Sequence, residues 1–228
     1  MLRALIFDFD GIIVDSEPLI FKLTQELVAR DGWTVDEDEY YNTYVALDDR
    51  TMMERILAKH GYPNDPVRRD EMVAWKCQRY ADIIRDGLPP TPGAVEFVTA
   101  MAKDYTLAIA SGSLQVEISH LLSKLGLRKK FAVLAASDDC QRCKPDPEVY
   151  LLALSRLRAL PQFQQQPLEP AECLAIEDAP FGVTAAKAAG FKCLALTHSR
   201  PAVALQHADW VTSGFPDVDM HRITAAFD

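Results

Sequence analysis

Two aspartates near the start of the chain, in the segment FDFDG, could act together as reactive or cation-binding groups. Residues 5–7 form an apolar run typical of a strand buried on both faces, and Asp8 and Asp10 follow it with one residue between them. Positions two apart on a strand point to the same side. The two carboxylates therefore repel each other unless a proton, a cation or a metal lies between them. This pair alone leaves two interpretations open, a solvated strand end and a site that uses both acids.

Other polar residues follow apolar runs in the same way, and parallel sheets bind ligands beyond the carboxyl ends of their strands. The candidates at these ends are Asp8, Asp10, Ser111, Gly112, Ser113, Lys144, Glu177 and Asp178. Each has an ordinary explanation as a turn, a surface charge or a helix start. Together they favour a site, because clustered carboxylates suit a hard divalent cation, typically Mg²⁺ when phosphate also binds. A carboxylate can attack phosphorus, and a neighbouring one can move a proton.

Strands that alternate with helices are predicted to carry these residues. The predicted strands lie in RALIFDFD, YTLAIASG, FAVLAAS, ECLAIED, FKCLALT and ADWVTSG. Alternation of this kind predicts an α/β fold, a parallel sheet with helices on both faces. The continuous apolar runs fit strands that are buried on both sides.

The stretch between the first two strands has a different pattern. From about Ser16 to Arg85, apolar residues recur at three- and four-residue spacing, which predicts helices only. We therefore predict a sheet domain made of residues 1–14 and 88–228, with an all-α helical bundle, residues 15–87, inserted after the first strand. The segment LPQFQQQPLEP is predicted to be a surface loop.

Composition narrows the classes of function. The chain has 228 residues and a formal charge of −9, which argues against nucleic acid as a partner. No apolar run reaches the ~18–20 residues that span a bilayer, and the first residues lack the zones of a secretory signal, so we expect a cytoplasmic protein that binds no membrane. The five cysteines are expected to be reduced. The spacing of Cys140 and Cys143 is better explained by chance than by a zinc or redox site.

Four segments in order resemble the motifs of the haloacid dehalogenase superfamily, in its branch of phosphatases and β-phosphoglucomutases with a helical cap. They are FDFDGIIVDSEPL, IASGS, KPDPEVY and IEDAPFGVTAAKAAG. The resemblance covers nearly the whole chain. It implies a Rossmann-like catalytic core and makes the helical insertion the cap that selects the substrate.

The resemblance also implies roles for the residues. Asp8 would be the nucleophile, Asp10 the general acid and base, and Lys144 the charge partner of Asp8 and the phosphate. Ser111 and Gly112 would hold the phosphoryl group, with Ser113 as a further substrate-binding residue. The Mg²⁺ ligands would be Asp8, the backbone carbonyl of Asp10 and Asp178, with Glu177 acting directly or through water. In the cap, VALDDRT lies where relatives carry a specificity loop, so Asp49 and Arg50 are candidates there and Lys76 a more speculative one.

The reaction expected is hydrolysis of a small phosphomonoester through an aspartyl-phosphate, by a monomer. Dehalogenases typically lack the second acid, so Asp10 argues against dehalogenation. The alternative is a β-phosphoglucomutase-type transfer, in which relatives use a histidine where this chain has Ile20, a residue that cannot take part in a hydrogen-bond relay. A signalling receiver domain and a catalytically silent binding module are further alternatives. The early position of Asp8 and the helical insertion disfavour the first, and the filled catalytic positions disfavour the second.

Overall fold

The computed structural model describes residues 1–44, 47 and 49–227. The chain forms two compact units, one made of Met1–Asp15 with Leu88–Asp228 and the other of Ser16–Gly87. We call them the sheet unit and the helical unit. The names catalytic core and cap stay predictions, because they concern function.

The sheet unit contains one parallel sheet, which has six strands within the described residues. The strands are β1 (Ala4–Phe7), β2 (Thr106–Ala110), β3 (Phe131–Ala135), β4 (Cys173–Glu177), β5 (Lys192–Leu196) and β6 (Trp210–Thr212). Their order is β3-β2-β1-β4-β5-β6, so β1 lies between β2 and β4. Ala4 pairs with Thr106 on one side and with Cys173 on the other. The predicted α/β class and parallel sheet are confirmed.

Strands made only of apolar residues are stable here because helices cover the sheet and keep those residues from water. Every residue of β1 is fully buried, which its unbroken sequence ALIF requires. The helices of this unit are α5 (Ala94–Met101), α6 (Gln115–Lys124), α7 (Glu148–Arg158), α8 (Pro180–Ala188) and α9 (Met220–Thr224). The sequence interpretation did not include α5 and α9, which are short.

The helical unit contains α1 (Glu17–Ala29), α2 (Glu37–Glu39) continued by a π-helical turn over Tyr40–Tyr44, α3 (Asp49–Lys59) and α4 (Pro66–Ile84). Its apolar core includes Val28, Tyr40, Met53 and Ile56. Within the described residues this unit has no strand, as the helical spacing predicts. No helix among the described residues is long and apolar enough to cross a bilayer.

The segment predicted as a surface loop has a different structure. Residues 161–163 form a 3₁₀ turn, and Phe163 and Leu168 are buried in the core of the sheet unit. The guanidinium of Arg3 lies 4.9 Å from the centroid of the Phe163 ring. The prediction was wrong for these two side chains, because the glutamines set the composition of the segment while two apolar residues anchor it.

Candidate active site

Asp8 lies directly after the central strand and is held in place by the strand beside it. Its backbone amide donates to the carbonyl oxygen of Ile176 in β4 at 2.9 Å. The residue is 8% exposed. A carboxylate so buried needs a charged or hydrogen-bonding partner to remain ionised.

Lys144 supplies that partner. Its ammonium nitrogen donates to Oδ1 of Asp8 at 2.8 Å and to Oε1 of Glu177 at 2.7 Å. Burial works to lower the pKa of Lys144, but the charges of Asp8 and Glu177 outweigh it and hold the pKa above its usual range. Lys144 is therefore a fixed positive charge beside Asp8 at neutral pH.

A tight turn after Asp8 brings the first strand's loop close to the fourth. Gly11 has a φ of +74°, a conformation that favours glycine. A Cβ at this position would lie 2.0 Å from Oδ2 of Asp178. The hydroxyl of Thr91 donates to the carbonyl oxygen of Gly11 at 3.1 Å. Glycine thus lets the turn approach Asp178, and Thr91 holds the turn in place.

Glu177 is the most deeply buried acid of the site, with no exposed surface. Oε1 accepts from the hydroxyl of Tyr150 at 2.5 Å as well as from Lys144, and Oε2 accepts from the amide of Asp178 at 3.3 Å. Burial raises the pKa of Glu177, and the charge of Lys144 opposes this shift. The carboxylate also packs on Gly182 of α8, where a Cβ would lie 2.1 Å from it.

Three of these carboxylates could hold a metal ion together. Asp8, Glu177 and Asp178 are all buried, and one carboxylate oxygen from each lies within 4.8 Å of the others. Oxygen donors of this kind suit a hard divalent cation. The hydroxyl of Ser199, which follows β5, donates to Oδ2 of Asp178. The donor set therefore fits a metal site, and one member has a hydrogen bond that orients it.

The loop after β2 carries the three small residues singled out in the sequence. Ser111 is buried, and its Oγ accepts from the amide of Ser113 at 2.9 Å. The hydroxyl of Ser113 donates to Oδ2 of Asp10. Gly112 is exposed, and a Cβ there would meet no atom within 4 Å. The structure thus connects this loop to Asp10 through Ser113.

The residues proposed for the specificity loop lie in the helical unit. Asp49 accepts from the ammonium group of Lys76, which is 4% exposed, while Arg50 is exposed and 3.9 Å from Asp70. Val45, Ala46 and Asp48 of the same loop lie outside the described residues. Ile20 packs, partly buried, against the apolar core of this unit. Roles for Asp49 and Arg50 stay predictions.

Cys140 and Cys143 are free thiols just before Lys144. Burial raises the pKa of Cys140, which favours the protonated thiol over the thiolate.

Tyr150, Gly182 and Ser199 are among the residues that contact the site but were not predicted from the sequence. Tyr150 lies within the quoted motif KPDPEVY, but an aromatic residue on a helix is usually interpreted as part of a core. Ser199 follows β5 by three residues, and the rule that ligands bind at strand ends, applied to that strand, would have found it. Gly182 follows the Glu-Asp pair inside a predicted helix, a position where glycine usually has a packing reason.

Comparison with known proteins agrees with this geometry. The sequence profile of the haloacid dehalogenase-like hydrolases matches residues 5–196. The phosphorylated carbohydrates phosphatase of Thermotoga maritima is 31% identical over 195 residues, which are 84% of this chain and 83% of that protein.

Two solved structures are similar along nearly the whole chain. A CbbY variant from Rhodobacter sphaeroides, in complex with xylulose-1,5-bisphosphate, has a TM-score of 0.79 and 25% identity, covering 95% of this chain and 96% of that one. A β-phosphoglucomutase from Clostridium difficile has a TM-score of 0.83 and 21% identity, covering 100% of this chain and 97% of that one. The second likeness, at this identity, concerns the fold.

Proposed function

This chain belongs to the haloacid dehalogenase-like hydrolase family, and we propose that it is a magnesium-dependent phosphatase of a small phosphomonoester such as a sugar phosphate. The observation that carries the proposal is the buried carboxylate of Asp8, paired with Lys144 and grouped with Glu177 and Asp178. A carboxylate at this position can act as a nucleophile toward phosphorus.

In the first step, a carboxylate oxygen of Asp8 attacks the phosphorus atom and the bond from phosphorus to the ester oxygen breaks. Asp10 gives its proton to the departing oxygen, so the alcohol leaves neutral. In the second step, water attacks the aspartyl-phosphate and Asp10 takes back a proton. Inorganic phosphate leaves and the Asp8 carboxylate is restored.

The residues around Asp8 stabilise the charge that the phosphoryl group carries. Lys144 is a permanent cation at 2.8 Å from Asp8. Because Ser111 Oγ accepts the amide hydrogen of Ser113, its own hydrogen remains available for a phosphoryl oxygen. Gly112 would add its backbone amide. Ser113, whose hydroxyl donates to Asp10 in this structure, would turn that hydroxyl to a phosphoryl oxygen when the substrate binds. Positioning and electrostatics of this kind provide most of the catalysis in phosphoryl transfer.

The carboxylates of Asp8 and Asp178 and the backbone carbonyl of Asp10 would hold the Mg²⁺ ion. When bound, the ion offsets the charge of the phosphate and the repulsion among the carboxylates. An acidic protein with a formal charge of −9 needs such local positive charge to bind an anion.

A sugar phosphate is favoured as the substrate by the relatives. The Thermotoga maritima protein is a phosphatase of phosphorylated carbohydrates, and the CbbY variant binds a pentulose bisphosphate. The helical unit would act as the cap, with Asp49 and Arg50 among the residues that contact the sugar. The expected partner is therefore a small metabolite, and the monomeric state and the cytoplasmic location stay predictions.

The test is release of inorganic phosphate from p-nitrophenyl phosphate and from a panel of phosphorylated metabolites, with and without MgCl₂. We expect turnover that requires Mg²⁺ and favours one or a few sugar phosphates. No release from any compound, by a folded protein in the presence of Mg²⁺, would contradict the proposal.

A further inference from the structure

Tyr150 of α7 contacts both members of the buried ion pair, although neither the motif roles nor the mechanism above uses it. Its side chain is fully buried, and its hydroxyl donates to Oε1 of Glu177 at 2.5 Å. The ammonium nitrogen of Lys144 lies 5.1 Å from the centroid of its ring. The ring itself packs edge-on against Phe191, with centroids 5.8 Å apart. Tyr150 is thus fixed by packing and aimed at Glu177.

Glu177 could pair with either of two positive charges. One is the ammonium group of Lys144, to which Oε1 is bonded at 2.7 Å. The other is the cation that the cluster of Asp8, Glu177 and Asp178 could hold. Because Lys144 also binds Asp8, the orientation of the Glu177 carboxylate affects the position of the ammonium group relative to the nucleophile.

Neighbouring groups restrict how the carboxylate can turn. Gly182 lies so close that a Cβ there would be 2.1 Å from the carboxylate carbon and both oxygens. The side chain has no exposed surface, so bulk water cannot satisfy an oxygen that leaves its partner. The hydroxyl of Tyr150 binds the same oxygen as Lys144, and it therefore favours the orientation in which Oε1 faces the lysine.

We propose that Tyr150 is a positioning residue whose hydroxyl keeps Glu177 on Lys144 and away from the cation. The inference rests on the proposed phosphatase function. Without the hydroxyl, one of the bonds that hold Oε1 toward Lys144 is lost, so Glu177 turns more readily toward the cation as an additional charged ligand, which strengthens Mg²⁺ binding. The same turn loosens Lys144 from its place beside Asp8, which slows the chemical steps. Removal of one hydroxyl should thus change metal affinity and turnover in opposite directions.

A purely structural role predicts a different pattern. If Tyr150 only packs the core, loss of its hydroxyl weakens the fold and lowers or leaves unchanged the affinity for Mg²⁺. The helical unit offers a matched control for this case. Tyr40 is also fully buried, and its hydroxyl donates to Oε1 of Glu17 at 2.6 Å.

The experiment compares Tyr150→Phe with Tyr40→Phe and the parent protein. For Tyr150→Phe we expect kcat to fall about tenfold, because Lys144 is held less firmly beside Asp8, with KM within about twofold. Calorimetric titration with MgCl₂ alone should show a Kd at least about twofold lower than in the parent. Both variants should lower the melting temperature to a similar extent, because each loses one hydrogen bond of a buried tyrosine. Tyr40→Phe should leave kcat and the Kd for Mg²⁺ within about twofold of the parent.

The route through Glu177 is tested by combining substitutions. In a Glu177→Gln background, Tyr150→Phe should change kcat by less than about twofold, because the group on which Tyr150 acts has been altered. An equal loss in both backgrounds would overturn the proposal, as would a kcat for Tyr150→Phe within twofold of the parent.

The metal titration separates this proposal from the proposed function. If the parent hydrolyses no phosphate ester, the function fails, and the Kd for Mg²⁺ of the two variants still decides the role of Tyr150. A Kd in Tyr150→Phe equal to or higher than that of the parent overturns it in either case.

Discussion

The hydroxyl of Ser199 donates a hydrogen bond to Asp178, although the two residues follow different strands. Asp178 comes directly after β4. Ser199 lies in the loop after β5, the strand next to β4 in the sheet. The bond fixes one carboxylate of the acidic cluster from outside the cluster. Loss of a group that orients a metal ligand in this way typically costs about 10–100-fold in metal affinity or activity.

We therefore expect Ser199→Ala to weaken Mg²⁺ binding about tenfold, measured by calorimetric titration with MgCl₂. Ser213→Ala is the matched control, because the hydroxyl of Ser213 donates to Asp217 in the same manner at a position outside the acidic cluster. Equal Mg²⁺ affinity in the two variants would show that the bond to Asp178 does not orient a metal ligand.

Asp8→Asn should abolish turnover while the protein remains folded. The amide is nearly the same size as the carboxylate but is not a nucleophile, so we expect kcat to fall by about 10³-fold or more. Phosphate release measures activity, and circular dichroism with a melting curve checks the fold. Residual activity within tenfold of the parent would mean that another group attacks phosphorus.

Phosphate release should need no bisphosphate activator. A mutase must protect its aspartyl-phosphate from water until a sugar hydroxyl arrives. Ile20, which packs against the apolar core of the helical unit, has no polar group that could couple the two events. Assays of β-glucose 1-phosphate should therefore detect inorganic phosphate before glucose 6-phosphate. Faster formation of glucose 6-phosphate would assign the protein to the mutases.

Gly182→Ala should destabilise the protein, although alanine is normally the better residue in a helix. The added methyl group would lie 2.1 Å from the carboxylate of Glu177, and overpacking of this kind typically costs about 1–3 kcal/mol. Urea unfolding measures the loss. Thr184→Ala on the same helix, where the side chain is exposed, is the control and should change the free energy of unfolding by less than about 0.5 kcal/mol. A Gly182→Ala variant as stable as the parent would show that the carboxylate can move away.

The free energy of unfolding should depend on pH through Asp139, which lies shortly before Lys144 in the chain. A hydrogen bond from Arg156 at 2.7 Å lowers the pKa of Asp139 below its ordinary value of 3.8. A carboxyl whose pKa is lowered by folding stabilises the protein above the unfolded pKa, and this contribution is lost as the pH falls through the folded pKa.

Asp139→Asn should therefore lower the free energy of unfolding by up to about 1 kcal/mol at pH 7, and the difference should shrink toward pH 3. Urea unfolding at the two pH values measures it. A difference that is the same at both values would mean that the charge of Asp139 does not stabilise the fold.

The strands and the residues that follow them could be predicted because both depend on local sequence. An unbroken apolar run such as ALIF indicates a buried strand, and the parallel arrangement then places Asp8 and Glu177 at one edge of the sheet. The helix α5 was missed because AVEFVTAM is short and its valines are equally typical of a strand.

Contacts between side chains that are far apart in the sequence could not be predicted in this way. Tyr150 and Glu177 are 27 positions apart, and Ser199 and Asp178 are 21 apart, so no periodic pattern relates them. Gly182 is similar, since only the position of the Glu177 carboxylate explains why a methyl group is excluded there. These parts of the site follow from how α7, α8 and the loop after β5 pack on the sheet, which requires coordinates.

The strand order also determines when the first strand can be paired while the chain is being synthesised. β1 pairs only with β2 and β4 in the finished sheet, and Asp8 obtains its lysine 136 positions later in the chain. At about 5–20 residues per second, the ribosome needs roughly 7–27 s to add that stretch. During this time the nascent chain carries an apolar segment without its neighbours and an acidic pair without its cation. The growing polypeptide thus exposes an apolar segment well before Asp8 and Lys144 can form their ion pair.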